Sequence, residues 1–303
     1  MELSDEGARA WLERGDFYEW RPEAGGSGDA VRVFHLEAGP ADAPLLLLVH
    51  GWPTSSIDWS DVLDGLAGPF RVAALDFPGY GFSAKPRDWP YSLALDADLL
   101  EHHLVEVLGA SRCRIVAHDR GDSVAMLLHH RLRQRRGQPA GQRPDGDGLR
   151  VDHLVLTNGN VFLPLSNLTG FQKLLLDEAH APGVLGSVTP QLLAEGLGTT
   201  TFTPSRSAQD ARVRTLAATF SYEDGTSVLD RTVRYLRERA DDELVWLRSL
   251  AESDVPTSMV WGLCDTVSPP RVAAHVWARF LRGKDGPNTL WFVPDANHYL
   301  QND

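Results

Sequence analysis

The run Ile115-Val116-Ala117-His118-Asp119-Arg120-Gly121-Asp122-Ser123-Val124-Ala125 constrains this chain more than any other stretch. An apolar strand ends in it, a turn follows at Asp119, and helix-like sequence begins at once. Small residues stand two places before Asp119 and two places after it, as a tight and strained turn requires. This is the strand–turn–helix context of a nucleophile elbow, with Asp in the slot usually held by Ser. The helix N-terminus that follows favours an anion, so a carboxylate there should stay ionised.

The substitution changes the chemistry. A serine alkoxide that attacked a saturated carbon would leave an ether, which water does not readily cleave. A carboxylate attacking the same carbon leaves an ester, which water hydrolyses. An Asp elbow therefore points to displacement at carbon, either opening an epoxide or expelling a halide. The plainer reading is a surface strand-to-helix turn with an Asp near a helix start. These residues alone leave both open.

The rest of the chain sets limits. With 303 residues it can hold one large domain, or a domain carrying an inserted one, and 43% hydrophobic residues allow a sizeable core. A net charge of −12 argues against nucleic acid or an anionic membrane as partner, which leaves a small-molecule substrate. The first 30 residues are polar and charged, unlike a signal peptide, and no segment has the apolar run of a membrane span. The two cysteines, Cys113 and Cys264, fall in or beside expected inner strands. Two buried thiols are expected rather than a disulfide, with a reducing, cytoplasmic setting.

Strands are expected at 31–36, 45–49, 71–75, 114–116, 151–156, 257–261 and 289–293. Leu45–Val49 is apolar throughout, as in a strand buried on both faces. Helical periodicity covers 93–108, with Gly109 as terminator, and 124–136, which turns basic at its end. The Gly- and Pro-rich stretch 137–148 reads as an exposed mobile loop. Strands alternating with helices predict an α/β fold, a mostly parallel sheet with helices on both faces. From 158 to 242 the alternation lapses into helices and loops, with helices expected at 171–179, 190–197, 208–219 and 228–240. The expected division is a core domain of 1–157 and 243–303 with a helical lid of 158–242 over the carboxyl ends of the strands, where open α/β sheets bind ligands.

Two further groups fall where a catalytic triad needs them. Asp265 lies just past one strand end and His298 just past the next, so the order is nucleophile, acid, histidine. His298 would take a proton from water, and Asp265 would hold its tautomer and stabilise its charged form. Asp295 competes for the acid role, but a residue so near the histidine in sequence rarely reaches the far ring nitrogen. His50-Gly51-Trp52-Pro53 follows the apolar strand, and the N–H groups of Trp52 and Arg120 are assigned to an oxyanion hole. His50 and Pro53 beside it are expected to contact substrate. The loop Asp76-Phe77-Pro78-Gly79-Tyr80-Gly81-Phe82-Ser83 reads as structural support near the site. No metal or cofactor is implied, since the histidines lack ligand spacing.

These motifs together resemble the α/β-hydrolase superfamily, in the branch of epoxide hydrolases and haloalkane dehalogenases. Pro53-Thr54-Ser55-Ser56 with Asp58-Trp59, Gly79-Tyr80-Gly81-Phe82-Ser83 with Lys85-Pro86, His118-Asp119 with Gly121-Asp122, and Thr157-Asn158-Gly159 are also similar to hydrolases named after the mammalian mesoderm-specific transcript. The dehalogenase pattern usually has Trp after the nucleophile and often Asn after His-Gly, where this chain has Arg120 and Trp52. Fluoroacetate dehalogenases do carry Arg after the Asp, but need a second Arg shortly downstream, where Ser123 and Val124 stand here. The His-Gly-x-Pro form is the epoxide hydrolase version. The resemblance thus implies epoxide hydrolysis first and dehalogenation second. Ester hydrolysis with Asp119 as a general base, and a binding protein without turnover, remain as alternatives.

Epoxide opening would also use a lid acid, usually a pair of tyrosines. Tyr222 and Tyr235 are the candidates, Tyr222 favoured because it precedes the turn Glu223-Asp224-Gly225. Asn158 and Asn160 are expected to cap a turn, with donation to a leaving group as the alternative. Arg120 is expected to pair with Asp122 or a lid carboxylate, with a substrate carboxylate as the sharper alternative. The resemblance further implies a final helix after His298. Without one, apolar sheet surface is expected to lie open or meet a partner. Oligomeric state is not legible.

Overall fold

A computed structural model describes residues 3–23, 29–138, 148–203 and 209–303. Most of the loop expected at 137–148 lies outside them. Eight strands form one sheet: β1 (Asp16–Trp20), β2 (Val31–Ala38), β3 (Leu45–Val49), β4 (Arg71–Leu75), β5 (Arg112–His118), β6 (Arg150–Thr157), β7 (Thr257–Gly262) and β8 (Thr289–Val293). Their order across the sheet is β1-β2-β4-β3-β5-β6-β7-β8. β1 and β2 pair antiparallel, as do β2 and β4, and every other neighbour is parallel. This is the α/β-hydrolase arrangement expected from the motifs.

Burial follows the composition of each strand. All five residues of β3 are buried, because its two faces are both covered. Each such leucine contributes about 1.5–3 kcal/mol relative to exposure. The sequence does not announce β1, because Asp16 and Glu19 interrupt its apolar residues at the sheet edge.

The helices are α1 (Glu6–Glu13), α2 (Ser60–Leu66), α3 (Leu93–His102), α4 (Arg120–Arg136), α5 (Gly170–Leu176), α6 (Ala181–Ser187), α7 (Pro190–Thr200), α8 (Gln209–Ser221), α9 (Leu229–Thr232), α10 (Tyr235–Ala251) and α11 (Pro270–Val276). Local chemistry starts several of them. Ser92 caps α3 by accepting from Leu95 N–H, and Thr189 caps α7 ahead of Pro190. The helix expected over 93–108 ends as α at His102 and closes with a wider π turn, His103–Val107. Gly109 then takes φ +65°, the left-handed value a helix terminator needs.

The helix expected at 228–240 is broken. Glu223 and Asp224 adopt left-handed backbone within a 3-10 turn, and α9 and α10 follow as separate pieces. α10 runs through residue 242 and packs on α4. No helix among the described residues is long and apolar enough to cross a membrane. Cys113 is buried and Cys264 is exposed, both free. The expectation of two buried thiols is therefore corrected for Cys264, which sits in the turn after β7 rather than inside the sheet. At the β8 edge Trp291, Phe292 and Val293 are exposed.

Candidate active site

β5 delivers Asp119 and α4 begins at the next residue. Asp119 has φ 52° and ψ −112°, a strained backbone that the surrounding packing must hold in place. Two glycines make the elbow possible. A Cβ on Gly121 would lie 2.6 Å from the Val49 carbonyl oxygen, and one on Gly51 would lie 2.7 Å from Asp119 Cβ. No other residue lets the chains approach so closely.

Asp119, Asp265 and His298 converge although they are far apart in sequence. His298 Nδ1 lies 2.9 Å from Asp265 Oδ2, and His298 Nε2 lies 3.6 Å from Asp119 Oδ2. Asp119 Oδ1 accepts from the Trp52 backbone N–H at 2.8 Å. All three side chains are almost fully buried. Asp295 is exposed and does not contact His298.

The acid is tightly held. Asp265 Oδ1 accepts from the N–H groups of Val267 (2.8 Å) and Ser268 (2.9 Å). Its Oδ2 accepts from Asn158 Nδ2 at 2.7 Å as well as facing the imidazole. Asn158 also donates to Asn297 O and accepts from Gly262 N–H. It thus ties β6, β7 and the His298 loop to one carboxylate, where the sequence suggests a turn cap or a donor to a leaving group. Its signal is the Asn-Gly pair at a strand end. His118 stands in the elbow motif with no role that the sequence assigns. Its Nε2 donates to the His298 carbonyl at 2.9 Å, and burial lowers its pKa to about 4, so it anchors the loop as a neutral ring.

Burial pulls His298 toward its neutral form, but the charges of Asp265 and Asp119 outweigh that and raise it to about 10. Burial likewise pushes Asp119 up, yet the imidazoles of His298 and His118 and the Trp52 N–H hold it below the ordinary carboxylate range. The carboxylate is the form poised to attack.

A cavity of about 510 Å³ opens onto Asp119 and His298. Its walls are mainly apolar and come largely from α5, α6 and α7, together with Trp52, Pro53, Val267 and Tyr299. Pro53 therefore lines the cavity. His50 does not reach the cavity wall: its Nδ1 bonds the Gly51 carbonyl, its Nε2 accepts from Phe77 N–H, and burial lowers it to about 3. Tyr222 also lies off the wall. Its hydroxyl accepts from Arg32 at 3.2 Å and its ring meets Phe82 and Lys85, so the turn points it away from the cleft. Tyr235 does not line the cavity either: it is 2% exposed, its hydroxyl has no hydrogen-bond partner among the described residues, and burial together with the Asp119 charge raises it well above the ordinary tyrosine range.

The Arg120 side chain turns away from the cavity to pair with Asp96 of α3, between the rings of Phe77, Tyr80 and Tyr235. The expected partner Asp122 instead accepts from Thr157 N–H. Only the backbone N–H of Arg120, in the first turn of α4 and without an intrahelical acceptor, remains available to the site. Asp76 receives the N–H groups of Ser56 and Phe82, each at 2.7 Å, which fits the supporting role expected of its loop. Among the described residues no group of three or more His, Cys, Asp or Glu side chains could hold a metal ion.

Comparison with known proteins agrees with this fold. The chain is 32% identical over 270 residues to the mesoderm-specific transcript protein of Mus musculus, covering 86% of this chain and 74% of that protein. It is 36% identical over 100 residues to epoxide hydrolase 4 of Mus musculus, covering 32% of this chain and 27% of that one. Among solved structures, the haloalkane dehalogenase DbeA of Bradyrhizobium elkani superposes with a TM-score of 0.71 at 20% identity, covering 95% of this chain and 92% of that one. Residues 46–303 match the model of the alpha/beta hydrolase family. With its sheet, its elbow and this match over most of its length, the chain belongs to the α/β-hydrolase family.

Proposed function

We propose that this hydrolase acts at saturated carbon through a covalent ester on Asp119, with epoxides as its leading substrate class. The observation that carries the reading is a buried carboxylate, not a hydroxyl, at the elbow, with one oxygen on a backbone N–H and the other facing an Asp-paired histidine. Asp119 Oδ2 attacks carbon while Oδ1 stays on Trp52 N–H. In the second step His298 takes a proton from water, which attacks the ester carbonyl. The bond from that carbon to the substrate oxygen then breaks, freeing Asp119, and His298 returns its proton to the departing alkoxide. The N–H groups of Trp52 and Arg120 stabilise the oxyanion, and Asp265 stabilises the imidazolium. The helical segment 158–242 acts as a lid that excludes water and shapes the cavity.

Two features support an epoxide. The Trp52 indole donates to Thr232 at 3.1 Å and the Arg120 guanidinium pairs with Asp96, so neither is free to cradle a halide. Dehalogenation is the second reading, because Tyr235 is absent from the cavity wall. A panel of epoxides and haloalkanes, scored separately for diol and for free halide, decides between them. Absence of both products across the panel contradicts the proposal.

Two predictions arise here. Asn158→Ala removes one bond to a charged group, about 1.5–3 kcal/mol, so turnover should fall roughly 10- to 150-fold. Steady-state kinetics well below the variant's melting temperature check this, since alanine at φ 50° and the lost bonds to Asn297 and Gly262 also lower stability. The second concerns pH. Esterification erases the Asp119 charge, one of the groups that raises His298 to about 10. The imidazole pKa must then drop, and the neutral base becomes more abundant at a given pH. Ester hydrolysis, followed by quenched mass spectrometry, should rise with pH and level off at a pKa below that of the free protein. A midpoint at or above the free-protein value would contradict this.

A further inference from the structure

Gln172 sits in the cavity wall and is 3% exposed. It is the N3 residue of a capping box that starts α5. Its Oε1 accepts from Thr169 N–H at 2.8 Å and from the Thr169 hydroxyl at 3.2 Å. A backbone N–H can only donate, so the oxygen must face Thr169 and the amide orientation is decided. The NH2 is the edge left over, and no described residue accepts from it.

The other donors around the cavity are already committed. Ser187, Thr200 and Thr201 hydroxyls donate to carbonyls of their own helices. The Thr169 hydroxyl is taken by Gln172, the Trp52 indole by Thr232, and the Tyr299 hydroxyl meets Thr54 at 3.3 Å. Apart from His298, the Gln172 NH2 is the one uncommitted side-chain donor among the described cavity residues. When a ligand displaces water from this cavity, such a donor is matched only if the ligand brings an acceptor.

We propose that the Gln172 NH2 binds the departing heteroatom as it gains negative charge, an assignment that rests on the covalent reading of Asp119. As Asp119 Oδ2 bonds to carbon, the carbon–heteroatom bond breaks and its electron pair stays on the heteroatom. A halide leaves with that pair. An epoxide oxygen stays tethered as an alkoxide and takes a proton from water. Gln172 transfers no proton; its hydrogen bond strengthens as the charge develops.

The test separates the two steps. Gln172→Glu keeps the capping box, which accepts Glu at this position, and removes the donor. Gln172→Met removes the donor without adding charge. Each is measured with the epoxide or alkyl bromide that the parent protein turns over fastest. Alkylation is read as ester formation in a His298→Phe background, and ester hydrolysis is read with His298 present. Both variants should slow alkylation by about 10²–10³-fold, the cost of one lost donor at a developing anion, and leave ester hydrolysis unchanged. Parent-like alkylation in Gln172→Met, or equal slowing of both steps, overturns the assignment. If His298→Phe alone accumulates no ester, the covalent reading fails, whatever Gln172 does.

Discussion

Asp119→Ala is expected to lower kcat by about a millionfold, the scale seen when a hydrolase loses its nucleophile. The reason lies in how much of the site depends on this carboxylate. Among the described residues it is the carboxylate that keeps one oxygen on the Trp52 N–H while the other faces His298. Without it, neither the ester nor the oxyanion that the N–H groups await can form. Alanine also fits poorly at φ 52°, so some stability is lost as well. Asp119→Asn serves as the control, because asparagine tolerates left-handed backbone. It should melt near the parent temperature and still form no ester. Steady-state rates with intact-protein mass spectrometry check both variants.

His298→Phe is expected to do something different. Alkylation needs the carboxylate, not the imidazole, so the first step should survive while the second slows by about 10²–10⁴-fold, the usual contribution of a general base. One equivalent of substrate should be consumed in a burst, and the intact protein should gain the mass of the alkyl group. That mass should map to the peptide holding Asp119. Loss of both steps together, with no gain in mass, would contradict the covalent reading of Asp119. The contrast between these two variants identifies the order of events better than either alone.

Much of this is legible from residues whose roles depend on a strand end. Leu45–Val49 announces a central strand because nothing polar interrupts it. Asp119, Asp265 and His298 can be read because each follows a recognisable strand, and parallel strands deliver such residues to one edge of the sheet. What escapes is decided by tertiary contact. Arg120 finds Asp96 across two packed helices, a pairing no spacing announces. Tyr222 reads as the lid residue because it precedes a turn, yet the left-handed Glu223 and Asp224 that follow leave it beside Arg32. Gln172 is invisible as a donor until Thr169 is seen to hold its oxygen. β1 is hard to read because an edge strand can carry Asp and Glu on its open side.

Asn158 shows the same division. Its Asn-Gly setting marks a turn in sequence, and the turn is there, with φ 50° at Asn158. Its bond to Asp265 spans more than a hundred residues and emerges only in the folded chain.

The covalent claim is tested most directly by single turnover in water enriched with oxygen-18, with protein in excess over substrate. If Asp119 carries the ester and water attacks its carbonyl, the first product contains unlabelled oxygen taken from the carboxylate, and the peptide containing Asp119 becomes heavier by one oxygen-18. If the label appears in the first product and none enters Asp119, water attacked the substrate directly, the carboxylate served only as a base, and the covalent mechanism is wrong.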